Sequence, residues 1–242
     1  MIKFKNVAKK FGNYTAVDNL NLEVQAGELF GFLGPNGAGK TTTIKMMTGI
    51  LKPTSGSISV GETDIQKEPE KAKKIIGYIP DDPFLYDRLT GREHLEFVGG
   101  LYHLDQDTIQ KRSEELFEIF DMNGWIDKRC EEYSHGMCQK LVFCSAFIHN
   151  PSVLVVDEPM VGLDPQSARI VKDLLKTYAS KGTTIFISTH VLSVAEELCG
   201  RIGIINNGKL IGLGTLEELK KQDARNNINL EALFLDLINN QI

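Results

Sequence analysis

Apolar positions along the chain follow two periods. Near the start "LNLEV" (20–24) alternates apolar and polar, and "ELFGFLG" runs apolar into a glycine-rich turn. The first 30 residues therefore predict strands. Residues 41–50 predict a helix ended by Gly49 and Pro53, and "GSISV" and "IIGYIP" predict two short strands. From about 82 to 150 the spacing turns helical, in "GREHLEFVGGLY", "DTIQKRSEELFEIF" and "HGMCQKLVFCSAFI". Strand patterns return in "SVLVVDEP" (152–159) and "TTIFISTH" (183–190), separated by the helical "SARIVKDLLKTYASKG". "RIGIINNGKLIGLG" predicts a hairpin turning at Asn207-Gly208. Near the end, Leu230, Leu233, Phe234, Leu237 and Ile238 share one helix face. That face either docks on its own domain or meets another chain.

Strands alternating with helices imply a parallel sheet covered on both faces. The central helical block predicts an inserted subdomain. The expected division is a core of 1–81 and 151–215, a helical subdomain over about 82–150, and a helical tail over about 216–242.

Composition removes several functional classes. A net charge of -5 leaves no basic footprint for nucleic acid. No apolar run reaches the roughly 18 residues that a membrane span needs. The opening "MIKFKNVAKK" lacks the apolar core of a signal peptide, so the expected location is the cytoplasm. Cys130, Cys138, Cys144 and Cys199 form no C-x-x-C pair, and the histidines form no H-x-x-x-H pair. The thiols read as small packed hydrophobes, and a zinc site is not expected.

Chemistry enters with "GPNGAGKT" (34–41), which matches G-x-x-x-x-G-K-[ST] between an apolar strand and a helix. Gly34, Gly37 and Gly39 let the backbone curl. The amides of Asn36, Gly37, Ala38, Gly39, Lys40, Thr41 and Thr42 can then face phosphate oxygens. Lys40 adds a point charge at the β- and γ-phosphates, and the Thr41 hydroxyl is a ligand for Mg²⁺. A nucleoside triphosphate is the expected ligand. "VLVVDEP" ends a buried strand in Asp157, a second metal residue, and in Glu158, which can reach an attacking water. "TTIFISTH" delivers His190 to the same sheet end, as a sensor of the γ-phosphate. No N-K-x-D motif occurs, which weighs against guanine nucleotides.

In this order the motifs resemble those of an ATP-binding cassette (ABC) transporter ATPase. "GYIPD" stands at the Q-loop, "YSHGM" at the signature, "VGLD" at the D-loop and "STH" at the switch histidine. The likeness runs from about residue 1 to 215, and "FLYDRLTG" with "YSHGM" is similar to the ABC-2 export branch. It implies a P-loop NTPase (RecA-like) α/β core with an antiparallel β subdomain and an inserted α-helical subdomain. It also implies ATP and Mg²⁺ as ligands, a homodimer, a separate transmembrane permease subunit, and a peripheral place on the cytoplasmic face of the membrane. Residue by residue, Phe11 matches the aromatic on adenine, Lys40 and Thr41 the phosphate-loop contacts, and Asp157 the metal residue. Glu158 matches the general base and His190 the switch. Asp164 matches the aspartate linking the two sites, and Ser134 and Gly136 those that close on the opposite subunit's γ-phosphate.

Two positions depart from the pattern. Asp81 stands where Gln or Glu is usual, and its shorter acceptor-only head makes direct metal ligation doubtful while leaving contact through a water open. His135 and Met137 replace a glycine and a glutamine of the signature. Ser134 itself reads as a helix N-cap, not as a nucleophile paired with His135. His135 either faces away from nucleotide or alters how the signature closes. Phe84, Leu85 and Tyr86 beside Asp81 line either a docking groove for the membrane subunit or the core of the helical subdomain. Two rival functions carry the same motifs: a soluble non-transport ABC ATPase, and a regulatory ATP-binding module without hydrolysis.

Overall fold

The protein is described from a computed structural model, which covers residues 1–160, 162–221 and 234. In chain order, β1 (Ile2–Phe11), β2 (Tyr14–Val24) and β3 (Leu29–Leu33) lead into α1 (Lys40–Met47). β4 (Ser55–Val60), β5 (Thr63–Asp64), α2 (Pro69–Lys73) and β6 (Ile76–Ile79) follow. Three helices come next: α3 (Gly91–Leu101), α4 (Gln106–Ile119) and, after a short 3-10 turn at Cys130–Glu132, α5 (His135–Phe147). The chain then alternates through β7 (Val153–Asp157), α6 (Pro165–Ser180), β8 (Thr184–Thr189) and α7 (Leu192–Leu198). β9 (Arg201–Asn206), β10 (Lys209–Gly214) and α8 (Leu216–Lys221) complete the described elements.

Two sheets form. One is antiparallel, in the order β2-β1-β4-β5; the other runs β10-β9-β3-β8-β7-β6, parallel from β9 to β6. The period-2 alternation of each central strand sorts its side chains between two cores. Leu29 and Leu33 of β3, Leu154 and Val156 of β7, and Ile185 and Ile187 of β8 face the core shared with α3 to α7. Phe30 and Phe32, Val153 and Val155, and Phe186 face the other core, which the antiparallel sheet and α1 cover. Three phenylalanines interlock there, with Phe186 5.6 Å from Phe30 and 5.3 Å from Phe32 between ring centroids. This is why β3, β7 and β8 are apolar through their middles without alternation: both faces are buried.

The parallel register aligns Leu33 with Thr189 and Asp157 with Ser188. The carboxyl ends of β3, β7 and β8 thus open on one edge, where sheets of this kind bind ligands.

Several expectations meet the structure directly. The hairpin of β9 and β10 turns at Asn207 (φ 46) and Gly208 (φ 78), the two positive φ values of a type I′ turn. α5 ends at Phe147, three residues before Asn150 (φ 53), which Pro151 follows. β5, α2 and α7 are short elements with no periodic signal of their own. All four cysteines are free; Cys130, Cys144 and Cys199 are buried and Cys138 half-buried. Of the apolar tail face, Leu230, Leu233, Leu237 and Ile238 lie outside the described residues, and Phe234 is buried in the larger core. Among the described residues no helix is long and apolar enough to cross a membrane.

Candidate functional site

The site begins where β3 leaves the core. Gly34 donates its amide to Thr189 O at 3.4 Å, so the loop departs beside the end of β8. It ends at Gly39, which caps α1 with φ 108 and contributes no side-chain hydrogen bond. A Cβ at Gly39 would stand 2.5 Å from the Ala16 carbonyl, so only glycine lets the loop pass this close to β2. The first amides of α1 therefore have neither an intrahelical acceptor nor a capping side chain, and the helix start is open to an anion. α3, α4, α5 and α6, by contrast, are capped by Thr90, Asp105, Ser134 and Asp164.

A cavity of about 430 Å³ lies against this helix end. Asn36, Gly37, Gly39, Lys40, Thr41 and Thr42 form one wall, and Asp81, Glu158 and His190 another. Phe11, Tyr14 and Ala16 of the β1–β2 hairpin form the third. A second cavity, of about 520 Å³, lies at the opposite sheet edge beside Ser152 and Thr183, which precede β7 and β8. It shares no residue with the phosphate loop.

Charge is concentrated where the first two walls meet. Lys40 is only 6% exposed; its ammonium donates to Gly34 O at 2.7 Å and Pro35 O at 3.2 Å. It also lies 3.7 Å from Glu158 Oε1. Glu158, 9% exposed and held at φ 51, accepts from His190 Nδ1 at 2.8 Å and from the Thr189 hydroxyl at 3.2 Å. A carboxylate can only accept, so the Nδ1 of His190 holds the hydrogen and Nε2 is left for a ligand. Asp157 accepts from the Ser188 hydroxyl through Oδ1, while Oδ2 is buried with no partner. Burial pushes the Asp157 carboxyl up. Ser188 and Thr41 pull it back, and Asp81 and Glu158 raise it further.

An orphaned anionic oxygen near the Thr41 hydroxyl suits a hard divalent cation, whose charge would repay the burial. Among the described residues no group of three or more His, Cys, Asp and Glu could hold a metal alone. Mg²⁺ takes one or two protein oxygens and completes its shell with phosphate and water.

Not every sequence-predicted residue reaches the cavity. Ala38 is buried; its amide donates to Pro35 O at 3.2 Å and its carbonyl accepts from Gly208 N at 2.9 Å. Ser134 accepts from Met137 N at 3.4 Å as the cap of α5. Asp164 caps α6 through Gln166 N and Ser167 N, both at 3.0 Å. Ser134, Gly136 and Asp164 all stand outside the cavity lining. Tyr14 and Ala16 were missed. Tyr14 pairs with Phe11 in register across the hairpin turn and is 60% exposed, and both residues line the cavity. The signal was the spacing "FGNY", a tight turn between two aromatics.

An uncapped helix start, a buried lysine and a carboxylate braced by histidine are the parts that phosphoryl transfer needs. Comparison with known proteins agrees. A family model described as ABC transporter matches residues 17–161. The linearmycin resistance ATP-binding protein LnrL of Bacillus subtilis (strain 168) is 39% identical over 90% of this chain and 70% of its own length. YbhF of Escherichia coli (strain K12), a probable multidrug ABC transporter ATP-binding protein, is 37% identical over 98% of this chain, which spans 42% of YbhF. Among solved structures, an ATP-binding subunit of an ABC transporter superposes with a TM-score of 0.93 at 30% identity, covering 98% of this chain and 99% of that one. The ATP-binding cassette MJ0796, solved as a post-hydrolysis dimer with ADP and Pi, superposes at 0.81 with 25% identity, over 89% and 98% of the two chains.

Proposed function

The chain belongs to the ABC transporter ATP-binding proteins, as a dimerising ATPase cassette of the export branch, and from that premise we propose that it hydrolyses ATP to drive export through a separate membrane subunit. The observation that carries this reading is the meeting of Lys40, Glu158 and His190 at one corner of the cavity. Phe11 and Tyr14 stack on the base. The amides of the phosphate loop and Lys40 hold the phosphates, with Lys40 leaving its carbonyl contacts for the incoming oxygens. Glu158 orients the attacking water and takes its proton, while His190, fixed by Glu158, presents Nε2 to the γ-phosphate. Thr41 and Asp157, with Asp81 through a water, would hold Mg²⁺. When bound, the ion neutralises charge on the phosphate oxygens.

Ser134 and Gly136 lie at the start of α5, away from the cavity of their own chain. Their part in this reading is to close on the nucleotide of a second copy, and Asp164 links the two sites. The membrane subunit docks beside Asp81, on an aromatic patch. Phe84 is 76% exposed, and its ring packs edge-on against Tyr86, which meets Phe97 in the same way. Leu85 between them is buried, so "FLY" divides between surface and core. The cassette would then sit on the cytoplasmic face of a membrane. The resistance and multidrug roles named for the relatives favour an organic, toxic cargo.

The test is ATP turnover with and without the membrane subunit. Glu158→Gln is expected to lower turnover by about 100-fold or more, with ATP-bound dimers accumulating on gel filtration. Absence of turnover in the unaltered protein, even with its membrane subunit present, would refute the enzyme reading.

A further inference from the structure

The histidine that interrupts the signature has a defined neighbour. A methyl group placed on Gly162 would overlap Cδ2 and Nε2 of the His135 imidazole. The ring therefore lies directly against the Gly162 backbone, at φ 78. Gly136 lies beside the same residue, since a Cβ built there would stand 3.5 Å from Gly162 O. His135 is the first residue of α5, next to the cap Ser134. Gly162 is in the five-residue stretch between Glu158 and Asp164.

That stretch is pinned at both ends. Glu158 N donates to Ser188 O at 3.0 Å, and Asp164 is tied to the start of α6 by Gln166 and Ser167. Met160 and Leu163 pack on the larger core. Between these anchors the imidazole rests on Gly162.

We infer that His135 is a positioning residue: its ring carries the seating of the α5 start onto Gly162, and so sets this chain's own Glu158 when Ser134 closes on the partner's nucleotide. The inference rests on the proposed role of Ser134 and Gly136 in capping a second copy's ATP. A rigid ring at this point transmits a displacement that a glycine would absorb. Closure at one nucleotide thereby reaches the hydrolytic carboxylate of the other.

Steric exchange tests the contact. Gly162→Ala is expected to slow ATP turnover by about tenfold or more, since ångström-scale misplacement of a reacting group costs up to about 100-fold. Adding His135→Gly makes room for the methyl, and the double variant is expected to recover the steric part of the loss, leaving the strain of alanine at φ 78. His135→Ala alone, at an exposed position, is expected to lower kcat about threefold with the KM for ATP unchanged, because the Lys40 cavity is untouched. A Gly162→Ala protein as fast as the unaltered one overturns the inference, as does a double variant no faster than the single. If Gly162→Ala fails to fold, His135→Ala decides, and any pattern other than reduced kcat at constant KM overturns it. Ser134→Ala in the same assay separates the two levels. Undiminished turnover there removes the capping reading and the inference together, whereas slow Ser134→Ala with no rescue of Gly162→Ala removes only the His135 link.

Discussion

Two helix starts in this molecule meet the same electrostatics and are finished differently. α1 begins at Gly39, without a side-chain cap, beside a buried lysine and two acids from neighbouring strands. α5 begins at Ser134, whose hydroxyl accepts from its own Met137 amide at 3.4 Å. Backbone dipoles and free amides favour an anion at both. Only α1 combines the bare helix start with a buried cation and a cavity. At α5 the hydroxyl that would meet phosphate is spent on its own helix, through a bond near the long limit for N–H···O. A complete anion site needs the competing acceptor removed as well as the donors supplied, and α5 becomes one only when a ligand from outside displaces that weak bond.

The contrast can be broken by separating binding from turnover. Lys40→Ala is expected to weaken ATP binding to the isolated chain about 100-fold in calorimetry, the loss of charged hydrogen bonds worth about 1.5–3 kcal/mol each. Ser134→Ala should slow turnover about tenfold or more while leaving that affinity unchanged, and as a weak cap should lower stability by about 0.5–1 kcal/mol. Equal loss of affinity in the two variants would abolish the distinction. Phe11→Ala and Tyr14→Ala should each weaken ATP binding about fivefold, given about 1–3 kcal/mol for stacking a base on an aromatic. An affinity change for only one of them would assign the base to a single ring.

The smallest effect concerns what α1's completeness costs the empty protein. Asp157 is pushed above its ordinary 3.8 by burial, so its charge opposes folding. That penalty is absent below the unfolded value, where both states hold the proton, and grows as pH rises through the raised folded value. Asp157→Asn should therefore raise the nucleotide-free melting temperature by about 2–4 °C at neutral pH and by nothing at strongly acid pH. Turnover should be lost at the same time. A melting temperature that falls at neutral pH would show the orphaned oxygen to be satisfied.

The readable parts of the sequence were those whose causes are local. The glycine-spaced phosphate loop, the apolar strand ending in Asp157 and the Asn207-Gly208 turn each encode their conformation in adjacent residues, and each stands where the pattern puts it. β5, α2 and α7 are two, five and seven residues long, too short for a period to emerge. The packing of His135 on Gly162, and the Lys40 ammonium folded onto Gly34 O, depend on loops meeting in space. Neither could be read from spacing. Tyr14 lay between: its turn was visible, but not that the turn folds toward the phosphate loop.

The tip of the β9–β10 hairpin joins two walls of the cavity. Gly208 O accepts from Asp18 N in β2, and Gly208 N donates to Ala38 O in the phosphate loop, both at 2.9 Å. One two-residue turn thus ties the strand that opens with Tyr14 to the loop that ends at Gly39, next to Lys40. The span between aromatic and cationic walls is thereby held by a turn outside the cavity lining. On the proposed reading, in which a nucleotide runs from these rings to Glu158, the hairpin would set the length of ligand that can reach the carboxylate.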